Sequence, residues 1–168
     1  MNINLEISAL KNLEYLINAK RAIPLDISQY TLLSVEPNSN TSVTRNTKLV
    51  LRNTTSNKRL TLYYNRIDLN TVITGVYSSN QFYYNASEFI VNEENVKSFI
   101  KEKLFLHSDY FSVSLLNKGE DSYTVTITVN ENDDTSQILY FNTLTIELSP
   151  YVPILPGFQY SNDDDQQD

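Results

Sequence analysis

The chain has 168 residues and a formal net charge of −7, with 20 acidic against 13 basic side chains. Its length predicts one domain, or one domain with an arm, that buries a core without a disulfide or metal staple. The lack of cysteine excludes disulfides, zinc–thiolate sites and a cysteine nucleophile. The acidic balance argues against nucleic acid and anionic membranes as partners, and no apolar run is long enough to span a bilayer.

An amphipathic helix is predicted over residues 3–20, inside an N-terminal segment that covers residues 1–24. Proline disfavours helical geometry in the residue before it, so Pro24 ends the segment. The first residues lack the basic stretch of a secretory signal, so we expect synthesis in a cytoplasm. Such a helix either covers the protein's own sheet or docks on another subunit. Its apolar stripe consists of Ile3, Ile7, Leu10, Leu13 and Ile17.

Short strand-like runs follow at 31–36, 47–52 and 59–65, with a polar hairpin loop at 53–58. In the last run, apolar side chains alternate with polar ones, which is typical of a half-buried strand. A mainly β protein of the α+β class is therefore predicted, with its main domain over residues 25–148.

The stretch LTLYYNRIDL (60–69) carries two neighbouring tyrosines ahead of an Arg-Ile-Asp cluster. Strand alternation predicts that Tyr64 lies in the core, whereas Tyr63 faces solvent or a second layer. Arg66 and Asp68 come just after the strand. They are interpreted as a local charge pair, and a ligand site built from tyrosine and arginine is the alternative.

Residues 72–85 predict two short strands around a Ser-Ser-Asn turn. Phe82, Tyr83 and Tyr84 are consecutive, so at least one of these aromatic rings must point outward. They either pack under a neighbouring loop or helix, or form a contact patch, because exposed aromatic residues are typical of interfaces.

A second helix is predicted over 93–104, because Asn92 is a good N-cap and two glutamates occupy the first turn. Strands then follow at 110–116, 122–130 and 137–148, and Asn142 marks a bulge or bend in the last.

Three prolines in residues 149–160 argue against a central strand, so this stretch is predicted to be an extended surface arm. An acidic tail, SNDDDQQD, follows it. Together they form a predicted C-terminal segment over residues 149–168.

No catalytic constellation is found. His107 is the only histidine, and its neighbours Ser108 and Asp109 are too close in sequence to converge on it as a triad. It is interpreted as a structural hydrogen-bonding residue. The acidic pairs are local, and a helix start, a loop and a tail account for them. We therefore predict a non-enzymatic protein with no cofactor and no metal.

Three motifs occur in this order within about residues 45–130: the N-T-x-L-x-L pattern from Asn46 to Leu51, the stretch YYNRIDL and the stretch VNEENVKSFIKEKLFLHSDYFSVSLL. This pattern resembles small β-rich virion structural proteins of tailed bacteriophages. The resemblance implies a β-sandwich-like domain and a place in a particle made in the host cytoplasm. It implies no catalytic residue.

The first hypothesis is thus a virion component that decorates the head or connects parts of the neck or tail. Its partners would be other virion proteins and symmetric copies of itself. The alternative is a carbohydrate- or receptor-binding module of a tail fibre that uses Tyr77, Tyr83 and Asn85. The candidate partner-contact residues are Ile7, Leu10, Tyr77, Phe82, Tyr83, Tyr151, Val152, Ile154 and Phe158.

Overall fold

A computed structural model describes residues 2–74 and 77–151. This part of the chain is mixed α+β, with most regular structure in sheets, as the alternating sequence pattern predicts. The two α-helices in these ranges are α1 (Ala9–Asn18) and α2 (Glu93–Leu104). The strands are β1 (Tyr30–Pro37), β2 (Thr47–Asn53), β3 (Arg59–Tyr64), β4 (Ile67–Asp68), β5 (Gln81–Tyr84), β6 (Phe111–Gly119), β7 (Ser122–Val129), β8 (Tyr140–Phe141) and β9 (Thr143–Pro150).

The described strands form three sheets. One is an antiparallel sheet in the order β1-β2-β3. The second has the order β5-β9-β7-β6, in which β5 runs parallel to β9 and the other pairs are antiparallel. The third is a short parallel pair of β4 and β8. Strand β9, the last strand of the described residues, therefore lies inside the four-stranded sheet, and β3 and β5 are edge strands.

Helix α1 is shorter than the helix predicted over residues 3–20. Ser8 is its N-cap and accepts a hydrogen bond from the backbone N–H of Lys11 at 3.2 Å. The Asn12 amide donates to the carbonyl of Asn4, and its side-chain oxygen accepts from the Asn4 N–H at 2.7 Å. The Asn12 side chain thus pairs both backbone groups of Asn4, and the residues before Ser8 fold back onto the helix instead of extending it.

Helix α2 has the predicted bounds. Asn92 accepts from the backbone N–H of Asn95 at 2.8 Å, and Glu93 and Glu94 lie in the first turn. Its apolar stripe is buried and consists of Val96, Phe99, Ile100 and Leu104. The helix ends at Phe105, which has a left-handed backbone conformation with φ 56°.

The region 72–85 differs from the two predicted strands. Among its described residues only Gln81–Tyr84 form a strand, and a 3-10 turn at Leu69–Thr71 comes shortly before this region. The Asp68 carboxylate starts that turn by accepting from the Asn70 N–H at 2.9 Å. Carboxylates that bond the backbone two residues on are typical of turns rather than strands.

The predicted strand over 137–148 is broken at Asn142, whose φ of 68° lies in the left-handed region. Asparagine is among the residues that tolerate this conformation best. The position predicted as a bend thus separates β8 from β9. Strand β9 also continues through Ser149 and Pro150, so the start of the predicted arm belongs to a central strand. Pro150 is tolerated there because β7 pairs with β9 only as far as Leu148.

The buried apolar side chains form one connected core. It takes residues from α1, from both larger sheets and from α2. Leu49 and Leu51 come from the three-stranded sheet, and Ile127 and Ile146 come from the four-stranded sheet.

Candidate functional site

Arg66 points into the protein. Its side chain is buried, with 7% of the residue exposed. Nε donates to Thr47 Oγ1 at 2.7 Å, and Nη1 donates to the carbonyl of Gln137 at 3.2 Å. The guanidinium carbon lies 4.9 Å from the centre of the Phe141 ring. Burial lowers the pKa of Arg66. The cation is therefore held by neutral acceptors and an aromatic face.

The predicted charge pair between Arg66 and Asp68 is wrong. Asp68 Oδ1 accepts instead from the Asn70 backbone and, at 2.9 Å, from the side-chain amide of Asn142. Within the described residues no carboxylate lies at ion-pair distance from Arg66. The two side chains diverge because the Arg66 side chain reaches the core, whereas the Asp68 side chain caps a turn.

The neighbouring tyrosines separate as strand alternation predicts. Tyr64 is buried, and its hydroxyl donates to the carbonyl of Ile138 at 2.6 Å. Burial raises the pKa of Tyr64. Tyr63 is half-buried and lines a surface groove. Tyr63 is therefore the tyrosine of this pair that a ligand can reach.

That groove lies between the last turn of α1 and the edge strand β3. It has a volume of about 420 Å³. Three exposed basic side chains border it, from two distant parts of the sequence: Lys20, Arg21 and Arg45. This set was not predictable from the sequence, because no local pattern shows that residues 20–21 and 45 lie close together.

Of the two N-terminal candidates, Leu10 packs against the apolar core, and Ile7 contacts its own chain through its backbone carbonyl. Ile7 and Leu10 are half-buried. The Ile7 carbonyl lies 2.7 Å from His107 Nε2, and the backbone N–H of Ala9 donates to the Tyr110 hydroxyl at 2.8 Å. His107 therefore anchors the start of α1, in line with a structural role.

Tyr77 and Phe82 belong to an aromatic cluster. Their ring centres are 5.3 Å apart, and Phe82 also meets Phe99 at 5.9 Å, both edge to face. The Tyr77 hydroxyl donates to the carbonyl of Lys103 at 2.7 Å. Both candidates are half-buried, so most of their surface contacts other parts of the same chain.

Tyr83 and Tyr151 are the exposed aromatic candidates, at 61% and 45%. Tyr83 pairs with Ser149 across the parallel ladder, and side chains two residues apart share a face. The backbone N–H of Tyr151 donates to the carbonyl of Tyr84 at 3.0 Å, which extends the ladder by one step. Tyr83 and Tyr151 therefore lie on one face at the same end of β5 and β9. Val152, Ile154 and Phe158 lie outside the described residues.

A cleft of about 450 Å³ opens beside Tyr83. Its polar lining includes Asn85, Glu88, Asn95 and Glu102. The Asn85 side chain is already engaged, because it accepts from the N–H of Ser87 at 3.1 Å. The cleft thus combines an exposed ring with amides and carboxylates.

No protein-family model, characterised protein or solved structure matches this chain. Within residues 2–74 and 77–151, no helix is long and apolar enough to cross a membrane. The same ranges contain no group of three or more His, Cys, Asp or Glu residues arranged to hold a metal ion. Function is therefore inferred from the chemistry of the exposed surfaces.

Proposed function

We propose that this protein is a non-enzymatic structural component of a tailed-phage virion. It binds neighbouring subunits as a head decoration or as a connector in the neck or tail. The observation that carries the proposal is the exposed aromatic pair, Tyr83 and Tyr151, at the edge strand β5. Exposed tyrosines are enriched where proteins meet, because the ring buries a large apolar area and the hydroxyl keeps a polar partner.

The chain direction supports the same proposal. Tyr151 comes directly before the proline-rich stretch that carries Val152, Ile154 and Phe158. The prolines of this stretch predict an extended arm, which would form one contact surface with the aromatic patch for a neighbouring copy or another virion protein. Arms of this kind gain affinity by ordering on their partner, at a cost in conformational entropy.

A β-sandwich-like arrangement of the two larger sheets is part of the proposal. The shared apolar core and the Tyr64–Ile138 hydrogen bond, which ties β3 to the segment before β8, support it. Stacked sheets with one common core give a rigid body that tolerates contacts on its outer faces.

Immunogold electron microscopy tests the proposal, with antibody to this protein on phage particles from the source lysate. Gold on the capsid supports decoration, and gold at the neck or tail supports a connector. Particles without gold would overturn the virion assignment. The Tyr83→Ser/Tyr151→Ser double variant should be incorporated into fewer particles than wild type. Tyr15→Ser is the matched control, because Tyr15 is 66% exposed on α1.

The cleft beside Tyr83 favours a second candidate function, which is carbohydrate or receptor binding by a tail-fibre module. Sugar rings stack on exposed aromatic side chains, and amides and carboxylates bind their hydroxyls. Glu88 and Glu102 would supply carboxylates next to Tyr83, whereas the Asn95 amide nitrogen already donates to the carbonyl of Ile90 at 2.8 Å. If Tyr83→Ala abolishes glycan or cell binding and Tyr15→Ala does not, the second function gains. Loss of particle assembly with unchanged glycan binding favours the first.

A further inference from the structure

The basic groove at β3 has an unusual charge for this protein. Lys20, Arg21 and Arg45 border it, and its lining contains no carboxylate. The whole chain, by contrast, carries more acidic than basic side chains. Among the described residues, none of these three cations makes an ion pair with a carboxylate. Clustered cations without counter-charges raise the local positive potential and attract an anionic partner.

The groove also has an apolar side. Leu16 and Ile17 line it from α1, and Leu62 and Tyr63 line it from β3. Its partner should therefore combine apolar or aromatic side chains with negative charge. Because β3 is an edge strand, alternate backbone N–H and C=O groups along it have no strand partner. An extended peptide can use such an edge for added-strand pairing.

We propose that this groove binds the acidic C-terminal residues Asp163–Asp168 of the same chain. Asp163, Asp164, Asp165 and Asp168 account for more than half of the net charge of −7. Tyr160 comes three residues before the first of them and supplies an aromatic group for the apolar side. The occupant thus carries both features that the groove requires.

The length of the C-terminal segment is compatible with binding to the groove. An extended chain of the length that separates Tyr151 from Asp163 spans about 40 Å. A folded protein of this size has a radius of gyration of about 15 Å. The span is thus comparable with the diameter of the protein, which is what binding of the tail to its own protomer requires. The inference concerns the isolated protein and does not rest on a place in a virion.

Fluorescence anisotropy with purified full-length protein tests the proposal. The probe is a labelled synthetic peptide of residues 157–168. The receptor is the full chain with Asp163, Asp164, Asp165 and Asp168 changed to Asn, so that its own tail does not compete. We expect saturable binding that weakens as salt rises from low to high concentration, because screening reduces charge attraction.

Two charge-reversal variants, made in the same neutral-tail chain, locate the binding site. Lys20→Glu/Arg21→Glu/Arg45→Glu should weaken peptide binding by at least about tenfold, since attraction becomes repulsion. The matched control reverses three exposed cations at the far end of the same sheet and should bind like the neutral-tail protein: Arg52, Lys58 and Arg59. The wild-type chain should bind the peptide more weakly than the neutral-tail chain, because its own tail occupies the groove.

Several results would overturn the proposal. These are absence of binding, equal loss in both triple variants, and equal binding of a peptide with all four aspartates replaced by asparagine. If a groove variant fails to fold, a photo-crosslinker in place of Tyr160 provides an independent readout. Crosslinks at residues 16–21, 45 or 62–65 support the groove, and crosslinks confined to other residues contradict it. Light scattering on the wild-type chain should give the mass of a monomer, whereas a dimer that is lost in the neutral-tail chain would show that the tail binds a second copy instead.

Discussion

Arg66 is a buried cation whose partners are all neutral. Its hydrogen bonds to Thr47 Oγ1 and the Gln137 carbonyl, with the Phe141 face, take the place of a counter-ion. The flat guanidinium makes all three contacts at once, which a lysine ammonium cannot do. The residue therefore fixes the end of β3 against the segment before β8.

Arg66→Lys should lower the free energy of unfolding by about 1–3 kcal/mol, because the charge stays buried while the forked hydrogen bonds are lost. Urea unfolding followed by circular dichroism measures this loss. Arg59→Lys is the control, since Arg59 is exposed at the start of β3 and should change stability by less than about 0.5 kcal/mol. Equal urea midpoints for Arg66→Lys and wild type would contradict the structural role of the fork.

Glu147 has a similar local network, but at the surface. Lys118 Nζ lies 2.7 Å from its carboxylate, and the Thr124 hydroxyl donates to it at 2.9 Å. The hydrogen bond from Lys118 is the main cause that holds the pKa of Glu147 below its ordinary value. A lowered pKa means that the folded state binds the proton less tightly than the unfolded state does.

The stabilising contribution of Glu147 is therefore present above the unfolded-state pKa of about 4.3 and is lost as pH falls through the lower folded-state pKa. Glu147→Gln should lower stability at pH 7 by at most about 1 kcal/mol, because the pair is partly exposed. Thermal unfolding between pH 3 and 7 should show that this gap to wild type closes at low pH. Lys118→Met should likewise be less stable than wild type at pH 7 and equally stable at low pH, because it removes the cation that pairs with the Glu147 carboxylate. A gap of equal size at pH 3 and pH 7 would refute the assignment.

At the scale of the elements, α2 has a well-formed start and a strained end. Asn92 caps its first turn, whereas Phe105 ends it in the left-handed region with 74% of its surface exposed. Glycine is the usual residue at this position, because a side chain there clashes with the backbone. The exposed Phe105 ring makes little packing contact that could offset this clash. The left-handed conformation at the end of α2 therefore lowers the stability of the folded state.

Phe105→Gly should raise the free energy of unfolding by about 0.5–1 kcal/mol through relief of this conformation. Phe105→Ala is the matched control, because alanine removes the ring and keeps the strained backbone. Differential scanning calorimetry should therefore show a higher Tm for the glycine variant only. Equal Tm values for the two variants would mean that the left-handed conformation costs nothing measurable.

At the scale of the whole molecule, one apolar core joins elements from both larger sheets and both helices. Leu51 contributes to it from β2, and Ile146 contributes to it from β9. A shared core couples the stability of the elements that line it, so the two sheets should unfold together.

Leu51→Ala should cost about 2–5 kcal/mol, the range for a leucine removed from a well-packed core. Hydrogen exchange should show that protection falls by the same amount in residues 47–53 and in residues 122–129. Leu116→Ala, on the exposed face of the edge strand β6, should leave both segments protected. Loss of protection confined to residues 47–53 would show that the sheets are separate folding units.

Features that depend on neighbouring residues were predictable from the sequence. The bounds of α2 follow from the Asn92 cap and the helical spacing of its apolar side chains, and the break at Asn142 follows from the tolerance of asparagine for left-handed backbone. The inward turn of Arg66 was not predictable, because Thr47 and Gln137 are 19 and 71 positions away from it. The paired exposure of Tyr83 and Tyr151 likewise needs the parallel pairing of β5 with β9.

Composition and periodicity predict the mixed α+β class, the acidic character and the alternation that buries Tyr64 beside Tyr63. Each of these depends on chain periodicity, capping or composition, which act over a few residues. By contrast, the position of β9 between β5 and β7, and the groove that residues 20–21 and 45 border, follow from the tertiary structure. Such placements depend on the combined free energy of contacts between segments that are distant in sequence, which a local sequence pattern cannot predict.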